Sequence, residues 1–95
     1  MLLFAKLKVI GHSMEPAIRN GETVLASNIF YWFKKPRIND IVAFRSAGGI
    51  SIKRITKINQ EKYFLAGDNQ QDSLDSRKFG LISRQKILGK VIYKV

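Results

Sequence analysis

The apolar residues of this chain fall in six short runs, mostly at every second position, and this period constrains the fold more than any other feature. A two-residue period places alternate side chains on opposite faces of a strand, whereas a helix needs a period near 3.6. The runs are AKLKVI (5–10), ETVLASN (22–28), DIVAFR (40–45), GGISIKRITKI (48–58), KYFLAGD (62–68) and KILGKVIYKV (86–95). DIVAFR holds a continuous apolar stretch, the pattern of a strand buried on both faces. In GGISIKRITKI, Ile50, Ile52 and Ile58 are expected on one face, and Ser51, Lys53, Ile55 and Lys57 on the other. SAGG (46–49) reads as a hairpin turn between the third and fourth runs. MEPAIRN (14–20) offers one helical turn, with Pro16 near its start. Six strands and little helix in 95 residues predict a single all-β domain, either a small barrel or a folded sheet.

One stretch departs from this pattern. GDNQQDSLDSRKFG (67–80) is a polar loop between two strands. Loops of that length in a compact domain are usually functional or disordered. Its Asp and Arg content, framed by Gly67 and Gly80, predicts an ordered loop held by its own hydrogen bonds.

Composition excludes several chemistries. The absence of cysteine rules out disulfides and thiolate metal sites, and a lone histidine rules out a multi-histidine site. No metal or cofactor is expected. The net charge of +10 is spread along the chain, which suits anionic partners in general. A nucleic-acid-binding β-barrel, one alternative reading, would interleave aromatics with Lys and Arg on its strands. Here the aromatics cluster in IFYWFKKPR (29–37), so no nucleic acid is expected. Phe30, Tyr31, Trp32 and Phe33, followed by Lys34, Lys35 and Arg37, suit peripheral membrane contact; the same aromatics would also serve to cover a core. The opening MLLFAKLKVI is interrupted by Lys6 and Lys8. It falls short of the roughly 20 apolar residues of a membrane span and lacks the order of a secretory signal. The chain reads as soluble and cytoplasmic, with peripheral membrane association as the alternative.

The chemistry centres on GHSMEPAIRNGE (11–22). Gly11 permits close backbone approach to a ligand, and a turn before a helical start offers free N–H groups to an oxyanion. Ser13 is either a nucleophile or a plain helix cap. A nucleophilic serine needs a base within hydrogen-bond reach. The neighbouring His12 is a poor candidate, because adjacent side chains usually point different ways. A lysine can serve if its pKa falls from about 10.4 to about 7–8, which demands an apolar setting. Lys53, in ISIKRI, is the best placed of the lysines; the alternative for it is a surface residue on the wet face of a strand.

GHSMEPAI, NDIVAF, IKRI and GDNQQDSLDSRKFG, in this order, together resemble the boxes of the type I signal peptidase family, the Ser–Lys endopeptidases. The resemblance spans about residues 9–92 and implies a single catalytic domain over 1–95. The implied fold is a small folded β-sheet barrel of the kind that signal peptidases share with LexA-like repressors. It implies Ser13 as nucleophile and backbone oxyanion donor, Lys53 as general base, and Ser73 as the residue that orients the lysine. Asp75 and Arg77 match a pair bracing the final loop, Gly67, Asp68 and Asn69 match its opening turn, and Asp40 matches a structural position. The implied substrate is a protein bearing an N-terminal propeptide or signal peptide, cut after a small residue. Ala17 stands where the family usually has Thr, and Asn39 where it usually has Gly. Gly11 lacks the side-chain hydroxyl that some members add to the oxyanion hole. The absence of a preceding membrane helix makes the chain similar to the nickel-type superoxide dismutase maturation proteases. A self-cleaving repressor-type switch is a further alternative, though no DNA-binding domain precedes Ser13.

Overall fold

Each of the six alternating runs forms a strand in the computed structural model, which describes residues 4–69 and 80–95. The strands are β1 (Phe4–Lys8), β2 (Thr23–Ser27), β3 (Ile41–Ser46), β4 (Gly49–Asn59), β5 (Lys62–Ala66) and, from the last run, β7 (Ile87–Lys94). A further strand, β6 (Ile82–Ser83), pairs with the start of β5. All pairings are antiparallel, and the sheet order is β1-β2-β7-β3-β4-β5-β6. The all-β expectation holds. Closure into a barrel does not: among the described residues β1 and β6 are the two ends of an open, folded sheet.

Two core clusters explain the folding of this sheet. One gathers Val42 and Phe44 of β3, Ile55 of β4, and Tyr63 and Leu65 of β5. The other gathers Val9, Met14, Ile18 and Val24, with Ile41 and Ile52 packed against them. Strands β3 and β4 therefore contribute side chains to both faces, and the central residues Val42, Ala43 and Phe44 are all buried. The hairpin between them turns at Ala47–Gly48, with Ser46 opposite Gly49, where the sequence placed it.

The faces of β4 differ from the simple alternation. Lys53 and Ile55 are buried, while Ile50 and Ile58 are exposed. A bulge between Ile55 and Lys57 shifts the register against β5, so residues beyond it no longer continue the same faces. Similarly, the expected helical turn at MEPAIRN is a run of turns without helix. Its backbone bonds, Glu15 N–H to His12 O and Ile18 N–H to Met14 O, are not continued because side chains capture the neighbouring donors. Arg19 N–H donates to Glu22 Oε1, and Asn20 N–H to Glu15 Oε2.

The one α-helical turn among the described residues, α1 (Phe30–Phe33), lies in the aromatic run. Only Tyr31 of the four is buried, and its hydroxyl donates to Asp40 Oδ2 at 2.6 Å. Burial, reinforced by that carboxylate, pushes the Tyr31 phenol far above its usual range. Tyr31 thus belongs to the core and is unavailable to a membrane, which corrects the expectation for that residue. Asp40 is structural as expected: it also accepts Arg37 N–H and lies 3.6 Å from Lys90 Nζ.

Candidate active site

Two residues before Ser13 stands a glycine whose backbone no other residue adopts readily. Gly11 has φ of +104°, and a Cβ there would meet nothing within 4 Å. The requirement is therefore conformational and not steric crowding. From this turn the chain brings Ser13 to a cleft of about 210 Å³. Lys8, Val9 and Ile10 border it on one side, and Ile50, Ile52 and Lys53 on the other. Ser13 and Lys53, far apart in sequence, line the same cavity.

Lys53 is only 6 % exposed. Its register partner on β3 is Val42, itself fully buried, and Ile55 follows it on the same face. The wet-face alternative for this lysine is thereby overturned.

His12 has a different partner from the one its position suggests. Its Nδ1 lies 2.8 Å from Glu15 Oε2. That hydrogen bond, with the Asn20 N–H donated to the same carboxylate, holds Glu15 below its ordinary carboxylate pKa. The histidine ring is committed to the turn around Ser13.

The opening turn of the 67–80 loop grips the serine. Asn69 N–H donates to Ser13 O at 2.8 Å, and Asn69 Nδ2 to His12 O at 3.1 Å. The residue before it, Asp68, accepts two parallel bonds from Arg54, Nε to Oδ1 and Nη2 to Oδ2, both 2.8 Å. Such a fork is geometrically specific as well as strong. Its acceptor, foremost, raises the Arg54 pKa further. Arg54 also donates to Asn39 O at 2.9 Å. Asn39 has φ of +78°, a left-handed conformation that glycine and asparagine tolerate best. The result is a continuous path: Lys53 adjoins Arg54, Arg54 clasps Asp68, and Asp68 adjoins Asn69, which holds Ser13. Neither the Arg54 clasp nor the Glu15–His12 pair carries a local sequence signal that marks it as part of the site. Gly67, buried, precedes Asp68. Ser73, Asp75 and Arg77 lie outside the described residues.

The aromatic run forms a separate surface. Phe30, Trp32 and Phe33 are exposed, Phe33 at 82 %. Phe30 and Phe33 border an apolar groove of about 420 Å³ with Phe4, Ile29 and Ile92. Lys34 and Lys90 lie over the Phe30 ring at 5.9 and 4.2 Å. No helix among the described residues is long and apolar enough to cross a membrane.

Comparison with known proteins bears on this geometry. A family model described as signal peptidase, peptidase S26, matches residues 1–56 and 50–95. Mitochondrial inner membrane protease subunit 1 of Homo sapiens is 30% identical over 108 aligned positions, covering 90% of this chain and 65% of that protein. Thylakoidal processing peptidase 1, chloroplastic, of Arabidopsis thaliana is 23% identical, covering 86% of this chain and 39% of its own length. Signal peptidase IB of Staphylococcus aureus is 49% identical over 37 residues, covering 39% of this chain and 19% of that protein. The chain thus spans less than two thirds of the length of each of these relatives.

Proposed function

The chain belongs to the signal peptidase family, peptidase S26, and from that premise we propose that it is a Ser–Lys endopeptidase removing an N-terminal signal peptide or propeptide. The observation that carries this reading is the shared cleft of Ser13 and the buried Lys53. In the proposed reaction the neutral Lys53 amine takes the proton of Ser13 Oγ as that oxygen attacks the scissile carbonyl. The tetrahedral oxyanion accepts a hydrogen bond from Ser13 N–H. Its collapse breaks the peptide bond, and the Lys53 ammonium returns the proton to the leaving amine. Water, deprotonated by Lys53, then hydrolyses the acyl-enzyme ester. Ser73 is proposed to orient the lysine, and Asp75 and Arg77 to brace the loop that carries it.

The strand edges support an extended substrate. Beyond β1 the sheet has no neighbour among the described residues, and β5 pairs with β4 only from Arg54 onward. The outer edges of β1 and of Gly49–Ile52 flank the cleft, so an inserted strand would pair on both sides. Such a strand would close the sheet that the chain leaves open. Its alternate side chains would enter the pocket formed by Val9, Met14 and Ile52, which suits the small residue expected before the cut.

The test is cleavage of an internally quenched peptide by the wild type and by Ser13→Ala and Lys53→Ala. Loss of activity in both folded variants is expected; full activity in either removes the dyad. A peptide panel spanning signal-peptide and propeptide sequences would divide the two substrate classes.

Peripheral contact with an anionic bilayer is proposed for the aromatic surface, through Phe30, Trp32 and Phe33 with the flanking lysines. Co-sedimentation with phosphatidylglycerol vesicles should be lost in Phe33→Asp. Equal sedimentation of both proteins would exclude that surface.

A further inference from the structure

Strand β1 presents two lysines to the rim of the cleft at strand spacing. Along Phe4–Lys8 the exposed positions are Phe4, Lys6 and Lys8, while Ala5 and Leu7 turn inward. Leu7 and Val9 pack with the second core cluster, beneath the cleft. Lys6 and Lys8 therefore point to the opposite side of the sheet, and Lys8 itself borders the cleft. Ile10, of the same parity, is 81 % exposed and also borders it.

These charges are not neutralised by the described Asp and Glu side chains, each of which is engaged elsewhere. Glu15 bonds His12, and Glu22 accepts Arg19 N–H and meets Lys94. Asp40 holds Tyr31, Glu61 meets Lys35, and Asp68 clasps Arg54.

A substrate strand lying along β1 would alternate its side chains between the same two sides. If the residue before the cut enters the pocket lined by Val9, Met14 and Ile52, so does the third before it. The second and fourth then face the side of Lys6, Lys8 and Ile10. Same-side residues of neighbouring strands repeat at about 6.6–6.8 Å in both chains, so one substrate side chain meets each lysine in turn.

We infer that this cleft selects substrates with acidic side chains at the second and fourth positions before the cut, read by Lys8 and Lys6. The inference rests on the peptidase reading above and adds a substrate class to it: a leader that alternates small and acidic residues just before its cleavage site. Lys6 and Lys8 determine specificity; they take no part in bond breaking.

The experiment uses internally quenched peptides with Ala at the first and third positions and Glu, Gln or Lys at the second with Gln at the fourth, or the reverse. For the wild type, kcat/KM should rank Glu above Gln above Lys, by about threefold per position for a solvent-screened ion pair. The ratio should shrink as ionic strength rises. In Lys8→Glu the order at the second position should invert, and in Lys6→Glu that at the fourth. Because the ratio is taken within each protein, changes in overall rate cancel. Cleavage of all these peptides at one rate would overturn the charge selection and leave the peptidase reading standing. Cleavage of none, the Gln peptide included, would overturn both.

Discussion

Replacing Asp68 by Ala severs the clasp that joins the strand carrying Lys53 to the turn carrying Ser13. Two charge-assisted bonds of 2.8 Å from Arg54 are lost. Bonds to charged groups contribute about 1.5–3 kcal/mol, whereas fully exposed ion pairs give about 0.2–1. The two side chains are 28% and 22% exposed, so the pair sits between these limits. A coupling of about 1.5 kcal/mol is expected from a double-mutant cycle of Arg54→Ala and Asp68→Ala, read by urea denaturation. The catalytic consequence is larger. Asn69 stays tethered to Ser13 by its own N–H, but the segment it belongs to loses its anchor beside Lys53. A displacement near 1 Å of a reacting group costs about 100-fold, so kcat should fall by about 10- to 100-fold with KM little changed. The assay is steady-state cleavage by the folded variants. A coupling below about 0.5 kcal/mol together with wild-type kcat in both single variants would refute the path from Lys53 to Ser13.

Three further predictions concern the scaffold. Gly89→Ala should destabilise by about 1–3 kcal/mol, because the new Cβ would stand 2.8 Å from Ser27 O and 2.9 Å from Ser27 C, both backbone atoms; an unchanged urea midpoint would contradict this. Gln60 and Glu61 both have positive φ, 51° and 63°, in the two-residue turn between β4 and β5, so Glu61→Gly should raise stability by about 1 kcal/mol, and a lowered melting temperature would count against it. The Tyr31 phenol is raised in the folded protein, so its contribution is complete below the unfolded value near 10 and fades as pH climbs above it. In this alkaline window Tyr31→Phe should flatten the fall in stability by about 1.4 kcal/mol per pH unit, and identical slopes in both proteins would exclude this titration.

What was legible in the sequence follows from how local each signal is. The alternating runs declared their strands because the two-residue period is written in consecutive residues. Ile82–Ser83 is too short to have a period, and it becomes a strand only because Tyr63 and Lys62 stand opposite it. IFYWF has no alternation, and its aromatics favour strands. Its single helical turn is selected by tertiary contacts, with Tyr31 reaching Asp40 and lying under the Arg84 guanidinium at 5.3 Å. The bulge at Ile55 and Lys57 escaped notice because it depends on the register against β5. Ser13 and Lys53 are singled out by four boxes in order, and the structure places both on one cleft; the alternation already put Lys53 with Ile55 on one face. The clasp of Arg54 on Asp68 and the hold of Asn69 on Ser13 join residues distant in sequence, which no local pattern encodes. The helix expected after Ser13 failed for a local reason: carboxylates take its donors, Glu22 that of Arg19 and Glu15 that of Asn20.

The dyad is tested most directly by locating and timing the covalent intermediate. Wild-type protein mixed with an activated ester of an Ala-terminated peptide, quenched in acid and mapped by mass spectrometry, should carry the acyl group on Ser13. Lys53→Ala, folded by circular dichroism, should acylate at least about 100-fold more slowly if the general base is lost. An adduct on another residue, or acylation of Lys53→Ala at the wild-type rate, would contradict the assignment of Ser13 and Lys53.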